Sequence, residues 1–169
     1  MNLNLSGKNA LVCGSSKGIG KACALELAAL GANITLVARR GNVLAEVQNE
    51  LDKSKGQKHD FLVADFSDTE DLRKKILGLV NVKPIHILIN NTGGPAGGPI
   101  IEAKIEEFLD AYTKHIVASH LLTKAVLKGM KETGYGRIIN IISTSVKMPI
   151  DGLGVSNTTR AAMANWAKT

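Results

Sequence analysis

The sequence predicts an α/β fold built on a doubly wound, parallel β-sheet with helices on both faces. Three observations point to it. Short apolar runs alternate with longer stretches of helical periodicity, the pattern of repeated βαβ units. The apolar runs are continuous rather than alternating, as expected of strands covered on both sides. Hydrophobic residues make up 44% of the chain but aromatic residues only 4%, so the core must be aliphatic, which suits such a sheet.

Taken in order, the first strand is expected at Asn9–Cys13 and the first helix at Ile19–Leu30. The second strand, Asn33–Ala38 (NITLVA), leads to a helix over Asn42–Lys55. The third, Lys58–Asp65, precedes a helix over Thr69–Val80. The fourth strand, Ile85–Asn90, runs into the Gly/Pro-rich stretch TGGPAGGP, which reads as a loop and not a domain boundary. A long helix over Ile105–Glu132 and a fifth strand over Gly136–Ser143 follow. A last helix opens near Val155 and is still running at Thr169, without a Gly or Pro stop signal. A doubly wound dinucleotide fold has about six strands. The expectation is therefore a single domain over residues 1–169, incomplete at its C-terminus.

The formal net charge is +6, but the basic residues are dispersed and no aromatic-interleaved basic stripe is present. Nucleic acid binding is the weakest of the readings that charge allows. No apolar segment approaches the length of a membrane span, and the N-terminus lacks the charged region and apolar run of a signal peptide. A cytoplasmic, soluble protein without a membrane partner is expected. Cys13 and Cys23 are the only cysteines and read as two buried thiols in a reducing compartment. His59, His86 and His120 lack metal-ligand spacing, so no metal site is predicted. Glu106, Glu107 and Asp110, beside Lys104 and Lys114, read as a solvated helix face.

The chemistry-bearing feature is the turn GSSKGIG between the first strand and first helix. Glycines at 14, 18 and 20 let the backbone turn tightly and approach a pyrophosphate, and the free N–H groups of the helix start face its charge. A P-loop is excluded at two positions: Ser15 stands where its first Gly belongs and Ala22 where its metal-binding hydroxyl belongs. A site specific for NAD places a carboxylate at the end of the second strand. Arg39 and Arg40 stand there instead, and Lys17 adds a third cation. A guanidinium attracts the 2′-phosphate that a carboxylate would repel, so NADP(H) is favoured over NAD(H). The alternative is that both arginines are solvated surface charges.

Four segments resemble motifs of the short-chain dehydrogenase/reductase family, in order and at that family's spacing. CGSSKGIG is similar to its T-G-x-x-x-G-I-G turn, with Cys13 for Thr. VADFSD carries Asp65, which by this resemblance holds the adenine amino group. INNTGG resembles its N-N-A-G, with Thr92 for Ala. GRIINIIS resembles the segment ending on the catalytic Ser, here Ser143. Within the family the chain most resembles β-ketoacyl carrier-protein reductases and an atypical branch of similar sequences. The resemblance implies a Rossmann-type sheet and a cofactor held by Gly14, Ser16, Lys17, Gly18, Ile19, Gly20, Arg39, Arg40, Asp65, Phe66, Asn91, Thr92 and Gly93. It also implies homo-oligomers, dimers or tetramers.

The family's catalytic set is Asn, Ser, Tyr and Lys. Here the Y-x-x-x-K pair falls on SNTTR, so Ser156 stands for Tyr and Arg160 for Lys. Tyr112 and Tyr135 have isoleucines four residues on, and no other Y-x-x-x-K exists. His115 aligns with the Asn, leaving Ser143 as the retained member. A Ser hydroxyl is a far weaker acid than Tyr, and an Arg cannot release a proton. His115 titrates in the right range to be an acid or relay, or it makes a structural hydrogen bond where the family has Asn. The functions left open are an NADP(H)-dependent oxidoreductase acting on a small-molecule or carrier-bound carbonyl, and a non-catalytic NADP(H)-binding protein that has lost the tetrad. The substrate is unreadable.

Overall fold

A computed structural model describes residues 3–169. Five parallel strands form one sheet in the order β3-β2-β1-β4-β5. They are β1 (Asn9–Cys13), β2 (Asn33–Ala38), β3 (Asp60–Val63), β4 (Ile87–Asn90) and β5 (Arg137–Asn140). The helices are α1 (Gly18–Ala29), α2 (Gly41–Glu50), α3 (Thr69–Val82), α4 (Ile105–Tyr112), α5 (Ala118–Glu132) and α6 (Gly154–Lys168). The strand order reverses between β1 and β4. In such sheets the crevice outside the strands' C-terminal ends, at that switch point, is where ligands bind.

The period of two along each strand divides the core between the two faces of the sheet. Ala10, Val12, Ile34, Leu36, Ile87 and Ile89 pack with Ala24 and Ala28 of α1 and Leu44 and Val47 of α2. Leu11, Cys13, Val37 and Leu88 pack on the other face with Leu72 and Ile76 of α3 and Leu122 and Val126 of α5. Truncating one such fully buried Leu to Ala costs roughly 2–5 kcal/mol. The three inner strands are buried almost throughout. The outer two are not: Phe61, Val63 and Ile139 are more than a third exposed. Burial on both faces therefore holds for β1, β2 and β4 only.

Element ends depart from the sequence expectation for local reasons. The third strand is shorter than Lys58–Asp65, because Lys58 N–H donates to the Asn33 side chain and Asp65 turns to accept from Ser67. The second helix stops at Glu50, where Leu51 is extended. The fifth strand ends at Asn140 and not at Ser143. The stretch Ile105–Glu132 is interrupted by a π-helical segment, Thr113–Val117, in which Ala118 N–H donates to Thr113 O. One extra residue in that turn rotates the face that follows, a feature frequent at functional sites. Helix α3 is capped as its sequence suggests: the Asp68 side chain accepts from Asp71 N–H, and Glu70 and Asp71 lie in its first turn.

Of the two cysteines only Cys13 is buried, and burial pushes its thiol pKa up to about 12; Cys23 is half-buried. His59 and His86 act as staples at the sheet: each Nδ1 accepts a backbone N–H, from Ile34 and Asn9 respectively. Among the described residues no cluster of His, Cys, Asp and Glu has the makings of a metal site. None of the described helices is long and apolar enough to cross a membrane.

Candidate functional site

Three segments at the C-terminal edge of the sheet build the glycine turn. Gly14 and Gly18 have φ of +59° and +57°, which side chains disfavour. A Cβ on Gly14 would lie 2.6 Å from Asn91 O. One on Gly20 would lie 2.8 Å from Asn91 Nδ2 and closer still to Gly14 O. Asn91 holds the turn from the β4 side, its Nδ2 donating to Cys13 O and Gly14 O at 3.3 and 3.4 Å. Ser15 holds it from the β2 side: its buried Oγ accepts from Val37 N–H at 2.9 Å. Ser15 entered the sequence reading only as the residue that breaks a P-loop, and its structural part has no one-dimensional signal.

Helix α1 starts at Gly18 with Lys17 as an extended N-cap that makes no side-chain capping bond. The first N–H groups of a helix have no intrahelical acceptor. Those of Gly18, Ile19 and Gly20 therefore lie at a positive helix end, over a floor of glycine with no Cβ. Gly14 and Gly20 lack a Cβ because the turn packs on itself and on Asn91, whereas the space at Gly18 is open. The positive helix end at this open position suits a diphosphate in charge. Ser16, Lys17, Gly18 and Ile19 are on the turn's accessible side.

Beyond the turn, a cavity of about 130 Å³ is lined by Arg39, Asp65, Phe66, Thr92, Gly93, Gly94 and Lys114. It gathers the ends of β2, β3 and β4 with the π-helical segment. The Ser67 hydroxyl and amide both donate to Asp65 Oδ1, at 2.7 and 3.0 Å. These bonds hold its carboxyl below the ordinary Asp range, aided by the nearby charges of Arg39 and Lys114. Arg40 is exposed and serves as the N-cap of α2, outside this lining. Lys114 and Gly94 line it although sequence reasoning did not select them.

The candidate catalytic residues lie on the other side of Thr92. His115 is 3% exposed, and its Nδ1 is hydrogen-bonded to the Thr92 hydroxyl. Its Nε2 is buried with no partner among the described residues. Burial, then the charges of Arg160 and Lys114, push its pKa down to about 4. Near neutral pH it is an uncharged imidazole, not the titrating acid its ordinary pKa suggests. The Arg160 guanidinium points inward, donating to Ile141 O at 2.7 Å and Thr92 O at 3.5 Å, so it ties the loop after β4 to the end of β5. Ser143 is half-buried, and its Oγ accepts from Ser145 N–H at 3.1 Å as the cap of a short 3₁₀ turn, Thr144–Val146. Ser156 lies half-buried in α6, one turn before Arg160. Helix α6 packs on both the π-helical segment and the 3₁₀ turn. Arg160, Thr92 and His115 thus form one hydrogen-bonded chain, with Ser143 and Ser156 on the two elements beside it.

Next to this chain the two long loops meet, with Gly98 N–H donating to Gly152 O at 2.6 Å. A largely apolar cleft of about 470 Å³, with Ile100, Pro149 and Ile150 in its wall, lies where they join.

Comparison with known proteins places these features. The model of the short chain dehydrogenase family matches residues 8–169. The chain is 40% identical over 144 residues to a granaticin polyketide synthase putative ketoacyl reductase 1 of Streptomyces violaceoruber, covering 83% of this chain and 53% of that protein. It is 31% identical over 164 residues to the human inactive hydroxysteroid dehydrogenase-like protein 1, covering 96% and 50% respectively. Among solved structures it is similar to L-sorbose reductase from Gluconobacter frateurii complexed with NADPH and L-sorbose. The TM-score there is 0.92 at 30% identity, over 99% of this chain and 64% of that one. The chain spans about half the length of these curated relatives.

Proposed function

The chain belongs to the short-chain dehydrogenase family, and from that premise we propose that it is an NADP(H)-dependent oxidoreductase interconverting a carbonyl and a secondary alcohol. The observation that carries this is the uncapped start of α1 on its tight glycine turn, together with a cavity outside β2, β3 and β4 whose wall includes Arg39 and Lys114. The Gly18–Gly20 amides would hold the diphosphate, and Arg39, Asp65 and Lys114 at the cavity would hold the 2′-phosphorylated adenosine end. The nicotinamide, when bound, supplies or accepts the hydride. The L-sorbose reductase it resembles is described with NADPH bound.

The chain's own residues then act on the substrate oxygen. The Ser143 hydroxyl donates to it, polarising the carbonyl. Ser156, which stands on α6 where the family has Tyr, is the hydroxyl proposed to pass a proton from water to that oxygen. His115, neutral, holds Thr92 and so the loop after β4. Arg160 keeps that loop joined to the end of β5. The apolar cleft beside the joined loops suits an acyl chain, and a carrier-bound 3-oxoacyl group is the finer reading, supported by the ketoacyl-reductase relative. The protein is further proposed to be a cytoplasmic single domain. Ile105, Leu109 and Tyr112, exposed at helical spacing along α4, support homo-oligomer formation.

The test is NADPH oxidation with a panel of ketones and 3-oxoacyl thioesters. Turnover that Ser143→Ala reduces at least about a hundredfold, on the scale of a lost oxyanion donor, supports the enzyme reading. NADPH binding without turnover across the panel contradicts it. A second reading, a non-catalytic NADP(H)-binding protein, has one observation in its favour: the Arg160 guanidinium is engaged by two backbone carbonyls, and Ser156 stands where the family has Tyr.

A further inference from the structure

Lys114 belongs to no motif of the sequence, yet it lines the small cavity together with Arg39. Its position follows from the π-helical turn. The extra residue there puts His115 into the core while its neighbour Lys114 remains two-thirds covered at the cavity wall. Its ammonium is anchored to Asp110 Oδ2 at 2.7 Å, one helical turn earlier. Both Lys114 and Arg39 act electrostatically on Asp65 from separate elements, so their charges converge on this space. Gly93 and Gly94 add no side chain to its lining.

We propose that Lys114 is a specificity-determining residue of the adenosine site, a second cation beside Arg39 that selects a ribose 2′-phosphate over a plain ribose. The inference rests on the cofactor-binding reading above. Asp65 is the one carboxylate in the lining, against two cations, so the space carries a positive excess that a 2′-phosphate neutralises and a ribose hydroxyl does not. The partner of Lys114 is half exposed, and an exposed ion pair is weak. An entering phosphate therefore attracts the ammonium without having to break a strong bond. The pairing with Asp110 already restricts the Lys114 side chain, limiting the entropy lost on binding.

The experiment uses the adenosine half of the cofactor alone. Binding of 2′,5′-ADP and of 5′-AMP is measured calorimetrically for the wild type, Lys114→Met and Lys114→Arg, with thermal melts to verify folding. The expected result is that Lys114→Met weakens 2′,5′-ADP about tenfold, the scale of one charge-assisted hydrogen bond. Its effect on 5′-AMP stays below about twofold, and Lys114→Arg recovers most of the loss, since only the charge is required. The salt dependence of 2′,5′-ADP binding becomes shallower in Lys114→Met. Equal weakening of both probes, or no change in their ratio, overturns the role of Lys114 while leaving the cofactor site intact. If the wild type binds neither probe, the cofactor reading itself falls, and this inference with it.

Discussion

Lowering the pH from about 7 to about 5 should destabilise this protein through His115. In the fold the imidazole is 3% exposed and its pKa is pushed down to about 4, so it stays neutral; in the unfolded chain it titrates near 6.5. Below 6.5 the unfolded state binds more protons than the folded state, so stability falls as pH falls. The contribution is fully present above 6.5 and is lost progressively toward pH 4. With those two values the linkage relation gives a loss of about 2 kcal/mol between pH 7 and 5, and a ceiling of about 3 kcal/mol below both. His86 is also pushed down by burial and acts in the same window, so wild type alone is not diagnostic. The assay is urea unfolding of wild type and His115→Asn at both pH values. Asn retains a polar partner for Thr92 but does not titrate. The wild type should lose about 2 kcal/mol more than the variant, equivalent to roughly 4–8 °C in melting temperature for a chain of this size. Equal pH dependence of the two proteins would refute a buried neutral His115.

Other substitutions probe the rest of the site. Gly20→Ala places a Cβ against backbone of Gly14 and should weaken NADPH at least about tenfold while lowering the melting temperature; wild-type affinity in a fluorescence titration would show that the turn is not built as described. Arg39→Ala should weaken NADPH about tenfold with little effect on NADH, the scale of one charge-assisted bond to the 2′-phosphate. An equal loss for both cofactors would remove Arg39 from the 2′-phosphate site. Arg160→Met leaves the Ile141 and Thr92 carbonyls without their donor and should cost about 1–3 kcal/mol in urea unfolding. A change near zero would mean that the guanidinium does not join the two loops.

How much of this was legible in the sequence depends on how local the cause was. Strands β1, β2 and β4 announce themselves as unbroken apolar runs because both faces are buried, and their limits on one or both ends match the expectation. Strands β3 and β5 lie at the outside of the sheet, where pairing ends before the apolar run does, so Lys58 and Ser143 were included too generously. Gly14, Gly18 and Gly20 were readable because all three fall within one short turn between a strand and a helix. The interruption at Thr113–Val117 was not, since residues of either side continue the same helical period. Lys114 and Ser15 carry no sequence signal for the same reason: one reaches its place through that π-turn, the other through a bond to Val37 in the neighbouring strand. His115 shows the limit for chemistry. Its residue type suggested an acid, but its pKa is set by burial and by Arg160, which is 45 residues away in sequence and visible only in the fold.

Central to the proposed function is that the Gly14–Gly20 turn and the Arg39–Lys114 cavity hold NADP(H). Titrating the protein with NADPH and with NADH, following nicotinamide fluorescence, tests it most directly. Saturable NADPH binding, with NADH weaker by at least about tenfold, is the predicted result. No saturable binding of either, or NADH binding as tightly as NADPH, would contradict it.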